Sequence, residues 1–180
     1  MRKIAAGLFV SLDGVVETPE RWSMPYFNEE LGQEVGAQMA AADTLLVGRI
    51  TYQGFAAAFS GQSGGDADHM NSVQKVVVST TLDKAEWQNS TLIKGNVAEE
   101  IARLKRQPGK NIGMSGSATL VRWLLRQGLL DELHLIVIPV LVGHGKRLFE
   151  DEGDPVALRL VDSKALSNGV LHLTYVPAAA

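Results

Sequence analysis

Residues 111–149, NIGMSGSATLVRWLLRQGLLDELHLIVIPVLVGHGKRLF, decide how this chain folds. Asn111 to Met114 reads as a short strand, and the turn Met114-Ser115-Gly116-Ser117 hands it to an amphipathic helix. Leu120, Val121, Leu124 and Leu125 fall on one side of that helix, and Gly128 stands where a C-terminal cap belongs. Leu133 to Val142 is apolar on both faces, as a central strand covered on both sides should be. Pro139 cannot donate to a ladder, so pairing is expected to change there. Backbone N–H groups are unsatisfied at a helix start, and the helix dipole favours negative charge there. The turn can therefore be read as a phosphate site; the simpler alternative is that Gly116 and Ser117 make only a tight turn and an N-cap.

Upstream, Lys3 to Leu12 is another strand apolar on both faces, and Asp13-Gly14 ends it in a turn. Glu17 to Phe27 carries two prolines with Trp22, Tyr26 and Phe27, a composition that suits an ordered loop packed over the core. Asn28 to Ala42 reads as a helix with Leu31, Val35 and Met39 on one face. Thr44 to Val47 is a strand ending at Gly48-Arg49, and Ile50 to Phe59 is helical. Ser60 to Asn71, rich in Gly, Ser and Asp, is expected to be a surface loop. Strands follow at Lys75 to Ser79 and Thr91 to Ile93, then a helix from Val97 to Arg106 closed by Pro108-Gly109. Downstream, strands at Ala157 to Ala165 and Val170 to Val176 meet through Asn168-Gly169, a strong hairpin signal. The prediction is one three-layer α/β domain over residues 1–180, with a mostly parallel central sheet flanked by helices and a C-terminal antiparallel hairpin.

Composition narrows the function. A net charge of −3 gives no electrostatic reason to expect nucleic-acid or membrane-surface partners. The hydrophobic fraction of 46% and charged fraction of 21% are those of an ordinary globular protein. There is no cysteine, which removes disulfides, thiolate metal sites and cysteine nucleophiles, and fits a cytoplasmic location. The apolar N-terminal run is broken by Ser11 and Asp13, so it reads as a first strand rather than a leader. His69, His134, His144 and His172 are scattered without metal-ligand spacing, and no metal is assigned. The first strand lacks G-x-G-x-x-G, and no P-loop or nucleophile elbow occurs.

In open parallel sheets ligands bind at the carboxyl ends of the strands. Three of the expected exits carry anion-friendly groups: Gly48-Arg49-Ile50-Thr51, Ser79-Thr80-Thr81 and Ser115-Gly116-Ser117. Arg49 offers a planar fork of donors suited to phosphate, and the hydroxyls of Ser79 and Thr80 could serve a second one. A dinucleotide bearing a ribose phosphate would need three such places.

Four segments, FVSLDGVVE, LLVGRITYQGF, KVVVSTTL and GMSGSATLVRWLLRQGLLDELHLIVIPVLVGHGKRLF, carry a resemblance to a known family. Together they make the chain similar to the dihydrofolate reductase-like proteins of the bacterial riboflavin-biosynthesis reductase C-terminal domain group. The resemblance implies a dihydrofolate reductase-like fold and NADPH as hydride donor. It assigns Gly48, Arg49 and Thr51 to a phosphate-binding helix start, and Ser79 and Thr80 to the adenosine 2′-phosphate. Gly113, Ser115, Gly116, Ser117, Ala118, Thr119 and Leu120 match the turn and helix that hold the pyrophosphate and approach the nicotinamide. Relatives often have Gly-Gly in this turn, sometimes joined by a cis bond; here Ser115 takes the first place. Relatives also form homodimers, and the two-sided strand and terminal hairpin offer an edge for pairing. The expected function is NADPH-dependent reduction of a small heterocyclic molecule, pteridine- or pyrimidine-like. The alternatives are the riboflavin-pathway reductase acting on a ribosylaminouracil phosphate, and a non-catalytic nucleotide-binding module. For the proton, Asp13 at the first strand's end and Glu29 or Glu30 on the first helix are the candidates.

Overall fold

The computed structural model describes residues 1–150 and 153–178. β1 (Ile4–Ser11) leads through a short helix α1 (Glu20–Ser23) and a single 3-10 turn to α2 (Glu29–Ala40). The Asn28 side chain caps α2 by accepting from the Leu31 N–H. Then follow β2 (Ala42–Gly48), α3 (Arg49–Phe59), α4 (Asp66–Ser72), β3 (Gln74–Val78) and β4 (Ser90–Ile93). The chain continues through α5 (Val97–Arg106), β5 (Asn111–Met114), α6 (Ala118–Arg126) and β6 (Glu132–Ile138), and closes with β7 (Leu158–Ala165) and β8 (Leu171–Pro177).

All eight strands make one sheet, ordered β4-β3-β2-β5-β1-β6-β8-β7. β1 to β6 are parallel, and β8 pairs antiparallel with both β6 and β7. The fold is thus the mostly parallel α/β arrangement with an antiparallel hairpin that the sequence predicts. The ladder between β6 and β8 ends at Val137, and Pro139 lies just beyond β6. The expected strand to Val142 therefore stops at Ile138, because proline cannot continue the ladder. Gly128 takes φ +65 after α6, and the Leu129 N–H reaches back to the Leu124 carbonyl, which makes the anticipated glycine C-cap.

The segment read as a loop, Ser60 to Asn71, contains α4 instead. Its Ala67 and Met70 are three apart on one helical face, and both are buried. Met70 packs with Val47, Tyr52, Val77 and Trp87. Two apolar residues among glycines and aspartates were too weak a pattern to mark a helix.

The two sheet faces differ. On one, Ile4, Ala6, Leu8, Ile112 and Met114 pack against Ile101 of α5 and Val121 and Leu124 of α6. On the other, α2 buries Leu31 against Ile136 and Ile138, whereas Val35 and Met39 toward its C-terminal end are only half-buried. The helix face read from Leu31, Val35 and Met39 is real, but only its first turn is sealed. The remainder borders a cleft.

Candidate active site

β5 enters the sheet between β2 and β1, so its exit is flanked by the exits of both. That brings the starts of α3 and α6 together. Gly48, the N-cap of α3, lies so close that a Cβ on it would stand 3.0 Å from the Ser117 Cβ. Gly116 has φ +122, and a Cβ there would be 3.1 Å from Thr51 Oγ1. The cis peptide bond is Gly116–Ser117, one residue after the Ser115–Gly116 position compared with Gly-Gly in relatives. Ser117 caps α6, accepting from the Leu120 N–H, while Ala118 and Leu120 point into the core. Thr119 is exposed, and its Oγ1 accepts from Lys146 Nζ at 3.1 Å. Lys146, which the sequence reading did not single out, thus brings a cation to the start of α6. Arg122 of α6 holds the same loop, donating to the Leu148 carbonyl at 2.9 Å.

Arg49 sits exposed at the first turn of α3 and donates to Gln53 at 3.2 Å. It shares a shallow depression with Thr81 and Lys84. Ser79 is turned away from that depression: its Oγ accepts from the N–H groups of Thr81 and Leu82 at 3.2 and 3.1 Å. It closes its own turn, while Thr80 is exposed beside it. Thr81 and Lys84 accompany Arg49 there, together with the carboxylates of Asp83 and Glu86.

Asp13 also lies on the rim, but its carboxylate is fully engaged. It accepts from Ser11 Oγ at 2.6 Å and from the N–H groups of Gly143 and Val142 at 2.8 and 3.1 Å. The Ser11 hydroxyl, followed by these amides, holds its pKa down at about 2. Such a group is ionised at neutral pH and has no proton to donate. Glu29 is exposed on α2 and accepts only from Gln33 of its own helix, at 3.4 Å. Glu30 accepts from Ser167 Oγ and N–H at 2.7 and 2.8 Å, so it anchors the hairpin turn. None of the three expected carboxylates opens into the cleft.

The cleft, about 470 Å³, lies between α2 and the pair α3–α4 and reaches Met114 and Ser115 at its rim end. Its floor is small residues, Ala5, Gly7, Ala42 and Gly113. A Cβ on Gly7 would be 2.3 Å from Gln38 Oε1, so any larger residue there must push the flexible Gln38 tip aside. α4 is tied down by Lys75, which is fully buried and donates to the Met70 and Val73 carbonyls at 2.7 and 2.9 Å. Burial pushes the Lys75 ammonium down to about 8.

Opposite α4, the cleft wall carries a polar cluster that the sequence reading missed. Glu34 Oε2 is 2.7 Å from His172 Nδ1, and Lys164 Nζ is 2.8 Å from Glu34 Oε1. His172 Nε2 faces Gln38 Nε2 at 2.9 Å and His134 Nδ1 at 3.3 Å. His134 Nε2 meets Glu132 Oε2 at 3.2 Å. The bond from Lys164 holds Glu34 below the usual carboxylate range, while burial pushes His134 below the usual imidazole value. Among the described residues, no group of three or more His, Asp or Glu is placed to hold a metal ion, and no helix is long and apolar enough to cross a membrane.

Comparison with known proteins agrees with this geometry. Residues 2–172 match the family described as the RibD C-terminal domain. YyaP of Bacillus subtilis (strain 168) is 30% identical, over 97% of this chain and 94% of its own length. A putative riboflavin biosynthesis protein from Shewanella sp. PV-4 superposes with a TM-score of 0.80 at 22% identity, covering 99% of this chain and all (100%) of that one. Dihydrofolate reductase from Enterococcus faecalis, in a complex with NADP(H), superposes with a TM-score of 0.66 at 16% identity, covering 98% and 97% of the two chains. At these identities the structural likeness establishes the fold: dihydrofolate reductase-like.

Proposed function

The chain belongs to the RibD C-terminal domain family, and on that premise we propose that it is an NADPH-dependent reductase of a small heterocyclic molecule. The observation that carries this reading is the meeting of two helix starts at the β5 exit, where Gly48 and Gly116 let the two backbones approach closely. Each helix start has N–H groups without a partner in its own helix, and a cleft opens beside them at Met114 and Ser115. A relative of the same fold was solved with NADP(H), which supports the choice of cofactor.

In this reading the starts of α3 and α6, at Gly48, Thr51 and Gly116 to Leu120, hold the pyrophosphate, with Lys146 adding charge. Arg49, Thr81 and Lys84 receive the ribose 2′-phosphate, with Thr80 beside them. Bound NADPH would supply a hydride at the Ser115 end of the cleft. The chain's own task is to hold a flat substrate over the small floor of Ala5, Gly7 and Gly113 and to keep water out with Val35, Phe55 and Met39.

The reading is tested by titrating NADPH against the fluorescence of Trp22, Trp87 and Trp123. A saturable response is expected, and none would sink it. Arg49→Ala should weaken NADPH about tenfold while changing NADH little, as expected when one charge-assisted contact to a phosphate is lost. Equal losses would remove the 2′-phosphate role.

A further inference from the structure

One side-chain amide at the cleft floor is held in a single orientation by its neighbours. Ionised Glu34 can only accept, so the ring nitrogen facing it, His172 Nδ1 at 2.7 Å, carries the hydrogen. In the neutral ring His172 Nε2 is then an acceptor, and Gln38 Nε2, 2.9 Å away, donates to it. That bond turns the carbonyl oxygen of Gln38 the other way, onto the floor. Gln38 Oε1 stands 2.3 Å from where a Cβ on Gly7 would be. Gly7 lies on the cleft side of β1 with Ala5 and Phe9. Among the described residues, no group donates a hydrogen bond to Oε1. The cleft therefore presents a fixed acceptor that the protein itself does not use.

The charges of the lining discriminate as well. Glu34, Asp66, Glu132 and Asp162 border the cleft against one lysine, Lys164, whose ammonium is already 2.8 Å from Glu34. Glu132 is answered by Lys3, also at 2.8 Å. Asp66 of α4 and Asp162 of β7 have no ion pair among the described residues. No lysine or arginine of the lining is left to neutralise a phosphate, and the surplus carboxylates repel one.

We infer that the cleft selects a planar heterocycle that brings an N–H edge to Gln38 Oε1 and carries no phosphate, with Gln38 as the specificity-determining residue. This rests on the reductase reading above and turns the choice of substrate away from a ribosylaminouracil phosphate. Register places such a ring. Ala5 pairs with Gly113, so two small floor residues lie side by side under a flat ligand. Gly7 is two residues further along β1, roughly 7 Å toward the Ser115 end, within the span of a fused two-ring system. A ring stacked over Ala5 and Gly113 thus meets Oε1 with its edge. An N–H there completes a bond, whereas an alkylated nitrogen leaves the oxygen unpaired.

The test is calorimetric titration of the full chain, with and without saturating NADPH. Lumazine, pteridine-2,4-dione, offers N–H groups on its pyrimidine ring, and 1,3-dimethyllumazine offers none. Lumazine should bind about tenfold more tightly, the effect of one hydrogen bond to an otherwise unpaired group. In Gln38→Leu that preference should vanish while 1,3-dimethyllumazine binds as before. Equal binding of the two to the wild type, or neither bound at millimolar concentration, overturns the N–H selection even where Gln38→Leu does not fold. An unchanged preference in Gln38→Leu overturns the role of Gln38. 6-Hydroxymethyllumazine and its phosphate monoester test the charge. The ester should bind about tenfold more weakly, and the gap should narrow in Asp162→Asn. An ester that binds as well or better overturns the exclusion of phosphate. A chain that prefers lumazine but gives no tryptophan response to NADPH defeats the cofactor reading alone. A response to NADPH without that preference defeats this inference alone.

Discussion

The two faces of the central sheet use the same strands for opposite ends. On the face under α5 and α6, Ile4, Ile112, Val121 and Leu124 are fully buried, aliphatic and closely packed. On the other, β1 offers Ala5 and Gly7, β5 offers Gly113, and the wall beyond them is built of Glu34, His134 and His172. One face is filled to hold the fold together. The other is kept partly empty and polar, which costs burial there and leaves a volume that can admit a ligand. Stability and binding should therefore respond separately to substitutions only a few ångströms apart.

Leu124→Ala should show this separation most strongly. Truncating a fully buried leucine costs about 2–5 kcal/mol, to be read from denaturant unfolding. The NADPH affinity of the protein still folded should stay within about twofold, a difference of under 0.5 kcal/mol. A large affinity loss would mean that the two faces are coupled through the sheet. Gly7→Ala tests the opposite face. The new Cβ displaces the Gln38 side chain, a flexible group that can swing away, so stability should fall by only about 1 kcal/mol. The ring resonances of His172, which Gln38 Nε2 meets at 2.9 Å, should nevertheless shift. A loss as large as that of Leu124→Ala would show the cleft floor to be ordinary core.

The smallest expected effect concerns Asp13. Its pKa is lowered to about 2 in the folded chain, below its unfolded value, so its contribution is complete above about pH 4 and disappears as pH falls through about 2. Amide chemical shifts of Val142 and Gly143 should hold steady down to about pH 3 and move only below it. Asp13→Asn should loosen that loop yet leave the slope of the reductase pH profile unchanged. A changed slope would return Asp13 to the candidate proton donors.

What the sequence disclosed follows from how locally each feature is encoded. Gly48-Arg49, Ser79-Thr80 and Ser115-Gly116 could be read because each is a short cluster at a strand end, where backbone geometry demands glycine or a capping hydroxyl. The hairpin could be read from Asn168-Gly169, where Gly169 indeed takes φ +85. The acid–histidine cluster could not. Glu34 and His172 lie 138 positions apart and His134 and His172 lie 38 apart, and Leu171-His172-Leu173-Thr174 alternates like any half-exposed strand. Only the register of β6 against β8, which no short window specifies, brings the two rings together. Ser79 shows what residue type alone does not tell: its hydroxyl oxygen accepts from the Thr81 and Leu82 N–H groups of its own turn.

The insertion of β5 between β2 and β1 has a consequence for assembly. Neither helix start at the rim has its partner until this late strand is threaded between two that precede it in the chain. A partly assembled molecule can hold β1 or the β2–β3–β4 group yet offer a ligand only half of the contact surface. Affinity should thus appear in one step with completion of the sheet, and a bound ligand would stabilise the finished state alone, by mass action. Recovery of tryptophan quenching during refolding would then clock the docking of Asn111 to Met114.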